Sequence, residues 1–155
     1  MKFKILFTII LFTFASLGSA DELRNAVNSK DRSEKNIVRD EFRKPYETLS
    51  FFQLEPNMTI LELSPGGGWY TEILANFVRK SGNLIAAHFS KDSERAYFRN
   101  SRINFEKKVK ENNLYEKVTV VDLNSELSDP SSVDAVLTFR NLHNWLGPNM
   151  DKIFS

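Results

Sequence analysis

Three consecutive glycines, Gly66, Gly67 and Gly68, are the clearest indication of a ligand site in this chain. They follow an apolar run, residues 58–63, and precede a segment of helical periodicity that begins at Trp69. Glycine has no Cβ and tolerates positive φ, so such a loop lets the backbone approach a ligand closely. The following helix points its free N–H groups at the loop. The alternative interpretation is a turn that needs glycine only for its own geometry.

The spacing of this loop argues against two nucleotide-binding motifs. The dinucleotide fingerprint requires Gly-x-Gly-x-x-Gly, and Thr71 stands where the third glycine should be. The fingerprint also needs an acid about twenty residues further on, where the second predicted strand ends at His88. A Gly-Lys-Ser/Thr sequence is missing, which excludes a P-loop. A nicotinamide-dependent oxidoreductase is therefore disfavoured.

Helical and strand-like segments alternate around the glycine loop. Strands are predicted over residues 58–63, 84–88, 118–122 and 133–139, and helices over 69–80 and 90–112. Ser90 is the predicted cap of the second of these helices, and Gly82 is the predicted left-handed cap of the first. This alternation predicts an α/β fold with a parallel sheet and right-handed crossovers.

The segment before the first strand has a different character. Residues 21–47 are rich in charge and predict an exposed helical arm or a pair of short helices, which Pro45 interrupts. The simplest interpretation of these charges is a solvated face. We therefore divide the chain into residues 1–20, a helical arm over 21–55 and an α/β domain over 56–155.

Composition excludes several classes of function. The 21 lysines and arginines nearly balance 20 aspartates and glutamates, so the net charge of +1 offers no footprint for nucleic acid. The absence of cysteine rules out disulfides, thiolate metal sites and a cysteine nucleophile. The two histidines lack the spacing that zinc prefers, and no metal site is predicted.

The first twenty residues have the order of a secretory signal peptide. Lys2 and Lys4 precede an uncharged, mostly apolar run over residues 5–17, and the small residues 18–20 follow it. A spanning helix needs about 18 apolar residues, so no stable membrane anchor is predicted, although an uncleaved anchor is the alternative. We expect cleavage after Ala20 and a periplasmic or secreted protein.

The run from Glu62 to Gly68 resembles the first strand and glycine-rich loop of class I S-adenosylmethionine-dependent methyltransferases, with Glu62 in the acid position. The flanks resemble a group of exported predicted methyltransferases. The matching segments are 31–33, 39–40, 43–45, 51–52, 62–75 and 138–145, within roughly residues 30–148. Ser64 departs from the general pattern because it replaces the usual first glycine.

The resemblance implies a Rossmann-like sheet with strand order 3-2-1-4, which is the N-terminal half of the class I fold. The usual fold has seven strands, whereas four are predicted here, so we expect a truncated chain. The fourth strand would then be an exposed edge that invites pairing with a partner chain. In this family arrangement the arm would cover the cofactor pocket.

The resemblance also implies roles for individual residues. His88 stands where an acid normally accepts both ribose hydroxyls, and a neutral imidazole could hold one of them; its alternative is a partly buried strand-end histidine. Asp122 would lie near the adenine, or would simply cap a loop. The residues implied to bind S-adenosylmethionine are Glu62, Ser64, Gly66, Gly67, Gly68, His88, Asp122 and Arg140.

Methyl transfer requires an oriented acceptor and sometimes removal of its proton. His143 is the candidate base because histidine is a common general base in enzymes, and Asn141 is the candidate to orient the acceptor. The alternative is that this cluster braces the loop after the fourth strand. The expected function is S-adenosylmethionine-dependent methyl transfer to an unknown small-molecule acceptor. The competing hypothesis is a non-catalytic exported α/β ligand-binding or remnant domain.

Overall fold

A computed structural model describes residues 18–146 of the chain. The predicted signal peptide lies outside the described residues except for residues 18–20, which belong to a helix. Over residues 18–146, no helix combines the length and apolar character that crossing a bilayer requires.

The centre of the molecule is a sheet of four parallel strands in the order β3-β2-β1-β4. The strands are β1 (Thr59–Leu63), β2 (Asn83–His88), β3 (Val118–Asp122) and β4 (Ala135–Thr138). Four of the five β1 residues are buried, because apolar side chains cover both faces of the sheet. The predicted Rossmann-like α/β fold and its strand order are confirmed.

The fourth strand is shorter than predicted at both ends. Asp134 precedes it and accepts a hydrogen bond from the Thr59 N–H through Oδ2 at 2.7 Å. Phe139 follows it and stacks its ring on that of Tyr70, with centroids 3.5 Å apart. Both residues therefore anchor the ends of β4 rather than extend it.

The central strand β1 pairs with β2 on one side and with β4 on the other. The chain first builds outward from β1 to β2 and β3, and then returns to place β4 against the opposite edge of β1. The direction in which successive strands are added to the sheet therefore reverses between β1 and β4. Open α/β sheets form their ligand crevices at the carboxyl ends of the strands at such a switch point.

Two longer helices cover the sheet, α5 (Trp69–Val78) and α6 (Ala96–Lys110). Only Asn76 of α5 is not buried, so this helix belongs to the core. The prediction that α6 begins at Ser90 is wrong. The Ser90 Oγ instead accepts from the Asp92 N–H at 3.2 Å within a turn, and the helix starts at Ala96. A 3₁₀ turn, Asn113–Tyr115, leads into β3.

The prediction of a left-handed cap at Gly82 is also wrong, since its φ lies outside the left-handed region. Glycine is required there because the backbone packs closely. An added Cβ would collide with the carbonyl oxygen of Met58 and would lie 2.6 Å from that of Pro56.

The arm forms four short helices, described as α1 over residues 18–27, α2 (Glu34–Ile37), α3 (Asp40–Arg43) and α4 (Pro45–Phe51). Pro45 begins α4 after a left-handed Lys44, so the predicted interruption is confirmed. A uniformly solvated arm is the wrong interpretation. Leu23 and Leu49 join the core, and the buried Arg32 donates to both carboxylate oxygens of Asp40 at 2.6 and 2.8 Å.

Candidate functional site

The loop between β1 and α5 is held in an unusual backbone conformation. Ser64, Gly66 and Gly68 have φ angles of 54°, 59° and 77°. The Ser64 N–H donates to the Ala87 carbonyl at 2.8 Å, which ties the loop to the end of β2. A left-handed serine is uncommon, and such conformations cluster at ligand sites.

The three glycines of this loop serve different purposes. A Cβ at Gly68 would lie 2.9 Å from Cε2 of Phe105, so this glycine lets α6 pack against the loop. A Cβ at Gly66 or Gly67 would meet no atom within 4 Å. Gly66 nevertheless has a positive φ, whereas Gly67 has neither a conformational nor a packing requirement for glycine. Open space beside Gly67 is the property that a ligand cradle needs.

A cavity of about 630 Å³ opens at the carboxyl ends of β1 and β4, at the switch point of the sheet. Its volume lies within the range of small-molecule sites. Predicted residues that line it are Glu62, Ser64, Gly66, Gly67, Arg140, Asn141 and His143. Its other walls are Lys35, Asn36, Arg39 and Arg43 of the arm, with Pro65, Trp69, Tyr70 and Phe139. We call it the switch-point cavity. Residues of the arm and of the glycine loop therefore line the same cavity.

Glu62 lies at the floor of this cavity with 2% of its surface exposed. Its Oε2 accepts from the Thr71 hydroxyl at 2.6 Å. Burial raises the pKa of Glu62 to about 7 and outweighs the opposing effects of Thr71 and Lys108. The side chain therefore carries only part of a negative charge near neutral pH.

His88 is completely buried beneath the glycine loop. Its Nδ1 accepts from the Phe89 N–H at 2.7 Å, so Nε2 carries the proton and donates to the Gly66 carbonyl at 3.1 Å. Burial lowers the pKa of His88, which keeps the ring neutral. Both ring nitrogens bond to the backbone, and the expected contact of His88 with a ribose hydroxyl stays a prediction.

Asp122 stands apart from the switch-point cavity. It pairs in register with His88 at the end of β3, and its Oδ1 accepts from the Asn124 N–H at 2.9 Å. This is the loop-capping contact given as its alternative role. Asp122 is not among the residues that line the cavity.

Asn141 braces the loop that follows β4. Its Nδ2 donates to the carbonyl oxygens of Ser64 and Phe139, each at 3.1 Å, and to the Thr138 hydroxyl at 3.3 Å. The bracing alternative therefore describes its amide group, which fastens β4 to the glycine loop. Arg140 and His143 are exposed and reach the cavity rim.

The sequence analysis missed the arm cations that face the glycine loop. Lys35, Arg39 and Arg43 line the switch-point cavity opposite Arg140. These three recur every fourth residue, a spacing that could have identified a shared face. The same spacing also fits a solvated helix face, so the sequence pattern alone does not distinguish the two.

Lys108 is a second missed residue, on the other side of the glycine loop. Its Nζ lies 2.7 Å from Oε1 of the buried Glu72 and donates to the carbonyls of Gly67 and Gly68 at 3.2 and 3.3 Å. Ser33 of the arm donates to the same Glu72 oxygen at 2.8 Å. A further cavity of about 850 Å³ lies on this side. Lys108 thus joins α6, α5 and the loop.

A scan against protein-family models matches none of them, and a search of the curated proteins returns no significant match. The residues of the switch-point cavity are therefore the main indication of function. They offer an open glycine loop, a buried and partly protonated acid, a group of cations and one exposed imidazole. Such a set can bind an anionic or zwitterionic molecule and accept a proton from it.

Proposed function

We propose that this chain binds S-adenosylmethionine in the switch-point cavity and acts as a methyltransferase. The observation that carries the proposal is the position of the glycine loop. It borders a cavity at the carboxyl ends of β1 and β4, where open α/β sheets bind their ligands. The resemblance of residues 62–75 and 138–145 to exported predicted methyltransferases supports the choice of cofactor.

The residues of the cavity fit the amino-acid end of this cofactor. Gly66 and Gly67 leave space for close approach, and the Ser64 hydroxyl lines the same wall. The ribose end has weaker support, because His88 at the end of β2 uses both ring nitrogens internally.

S-adenosylmethionine supplies an electrophilic methyl group when it is bound. In this proposal the protein positions the acceptor and, through His143 at the rim, takes up the proton that the acceptor releases. Asn141 keeps the loop after β4 against Ser64, and so holds His143 beside the cavity.

The competing function is a non-catalytic ligand-binding domain, which the internal bonds of His88 favour. The two functions differ in turnover. Steady transfer of a labelled methyl group by the full chain would exclude the non-catalytic domain.

The test of the cofactor site is a thermal melt of the full chain with and without S-adenosylhomocysteine. A ligand at about 100 times its Kd stabilises the folded state by about 2.7 kcal/mol, which raises Tm by several degrees. We expect Gly67→Ala to keep the ligand-free Tm, because its Cβ meets open space, but to lose most of this shift.

The matched control is Lys117→Ala, which truncates an exposed side chain outside the cavity. It should retain the full shift. An unshifted melt of the unaltered chain at millimolar S-adenosylhomocysteine would refute the proposed cofactor.

We also propose that a partner chain pairs with the outer edge of β4. Within residues 18–146 that edge has no paired strand, and Val136 is 59% exposed. A lysine on an edge strand opposes pairing, so Val136→Lys should lower the mass measured by light scattering. Thr119→Lys, on the exposed face of β3 at the opposite edge, is the control. Equal masses for the two variants and the unaltered chain would exclude pairing at β4.

A further inference from the structure

We propose that the switch-point cavity contains a binding site for an oxyanion, formed by Arg39, Arg43 and Arg140, and that the molecule it receives is an anionic methyl acceptor. The identification of this molecule as a methyl acceptor rests on the proposed function, whereas the anion site does not. The ligand group is a carboxylate or a phosphate on a small molecule.

The first argument is the balance of charge in the cavity. Lys35 and the three arginines line it, and Glu62 is the one carboxylate among its described lining residues. Burial leaves that carboxylate partly protonated near neutral pH. A cavity lined mainly by one sign of charge concentrates ligands of the opposite sign.

Within residues 18–146, these arginines also lack carboxylate partners. Elsewhere Arg32 pairs with Asp40 at 2.6 Å, and Arg102 pairs with Glu106 at 2.9 Å. Among the described residues, by contrast, no carboxylate lies within ion-pair distance of Arg39, Arg43 or Arg140.

The third argument is that the fold holds these like charges together. Burial lowers the pKa of Arg43 most, and the charges of Arg39 and Arg140 lower it further. Arg140 has a φ of 62°, an uncommon conformation for arginine. An arrangement of mutually repelling cations is stabilised when an anion binds between them.

The packing of Arg43 suits this role. Its guanidinium lies over the Trp69 ring, with Cζ 4.6 Å from the centroid. Stacking fixes the plane of a guanidinium and leaves its N–H edge able to bind two oxygens at once. An ammonium group gives no such planar, two-point contact, so lysine should replace this arginine poorly.

The same charges bear on the order of binding. The sulfonium of S-adenosylmethionine is positive, so unneutralised arginines nearby oppose it. A bound oxyanion would remove that repulsion. We therefore expect the anion to tighten S-adenosylmethionine binding more than it tightens binding of S-adenosylhomocysteine, which has no sulfonium charge.

The experiment is calorimetric titration of the full chain with inorganic phosphate and, in a separate arm, with benzoate. The tighter probe identifies the oxyanion class. We expect Arg39→Gln and Arg140→Gln each to weaken binding by about tenfold, as loss of a charged hydrogen bond does. The double variant Lys30→Gln/Lys80→Gln, which removes two exposed cations outside the cavity, should bind as the unaltered chain does.

Different results would contradict the anion site, the acceptor assignment and the proposed function. Binding of neither probe, or equal loss in the control double variant, would overturn the anion site. Displacement of the probe by S-adenosylhomocysteine would overturn the acceptor assignment, because the arginines would then hold the cofactor carboxylate. Anion binding without any effect of S-adenosylhomocysteine on Tm would reject the proposed function and keep the anion site.

If the arginine variants do not fold, a measurement on the unaltered chain still tests the anion site. Raising NaCl from low to high concentration should weaken binding of the tighter probe severalfold, because salt screens the attraction. Salt-independent binding would count against the three arginines.

Discussion

Glu62 shows how burial changes the chemistry of one side chain. It lies near the carboxyl end of β1, next to the glycine loop. Enclosure by the core raises the pKa of this carboxyl to about 7. The group is therefore most stable in its protonated form, and ionising it costs folding free energy.

A measurable pH dependence follows. Protonation of Glu62 stabilises the folded state fully below the unfolded pKa near 4.5, and this contribution is lost as pH rises through about 7. Relative to Glu62→Gln, the unaltered chain should lose about 3 kcal/mol of unfolding free energy between pH 4.5 and pH 8. Chemical denaturation at several pH values measures this difference.

The comparison with Glu62→Gln is needed because His88 acts in the opposite direction. Its lowered pKa makes stability rise with pH up to about 6.5, and this contribution cancels between the two proteins. Glu34→Gln, on the exposed side of α2, is the control and should run parallel to the unaltered chain. Parallel profiles for Glu62→Gln as well would contradict a buried, protonated carboxyl.

At the scale of elements, the local sequence pattern predicted the strands but not the contacts between elements. The apolar run 118–122 predicted β3 with its observed ends. The start of α6 was misplaced because Ser90 can cap either a helix or a turn, and only tertiary packing decides. The role of His88 depends on the Gly66 carbonyl, 22 residues away, which no local pattern reveals. The position of the arm cations likewise depends on the loop with which they line the switch-point cavity.

The ion pair between Glu72 of α5 and Lys108 of α6 leads to a prediction about stability. In Lys108→Met, the Glu72 carboxylate would remain 99% buried without its cation, because only 1% of the side chain is exposed. Removing one member of such a pair costs about 3 kcal/mol. Denaturant unfolding should show this loss, and Lys108→Met/Glu72→Gln should recover more than half of it.

Lys107→Met is the matched control for this pair. Lys107 is 69% exposed and lies 3.9 Å from Glu111, so its ion pair contributes at most about 0.5 kcal/mol. Similar losses for Lys107→Met and Lys108→Met would mean that the buried pair has no special part in the fold.

At the scale of the whole molecule, a net charge near zero conceals an uneven distribution. The formal charge of +1 does not indicate a broad nucleic-acid surface. It did not indicate that the cations of the arm and of the segment after β4 converge on one cavity. Total charge can be read from composition, but its location depends on how 100 residues between Arg39 and Arg140 fold.

Export concerns the whole chain, so the proposed signal peptide is tested by expressing the full sequence. We propose that residues 1–20 direct secretion, so protein expressed in a Gram-negative host should be periplasmic and begin at Asp21 by mass spectrometry. Leu11→Arg interrupts the apolar run and should leave the chain uncleaved in the cytoplasm. A periplasmic product that still begins at Met1 would indicate an uncleaved segment.

The hydrogen bond from Asn141 to the Ser64 carbonyl spans 77 residues. During synthesis the glycine loop leaves the ribosome well before the residue that fastens it. A nascent chain can thus form β1, α5 and β2 while the loop still lacks the hydrogen bond from Asn141. The loop would acquire this support only after Asn141 has been synthesised, so a bound ligand would distinguish chains that contain this residue from shorter nascent chains.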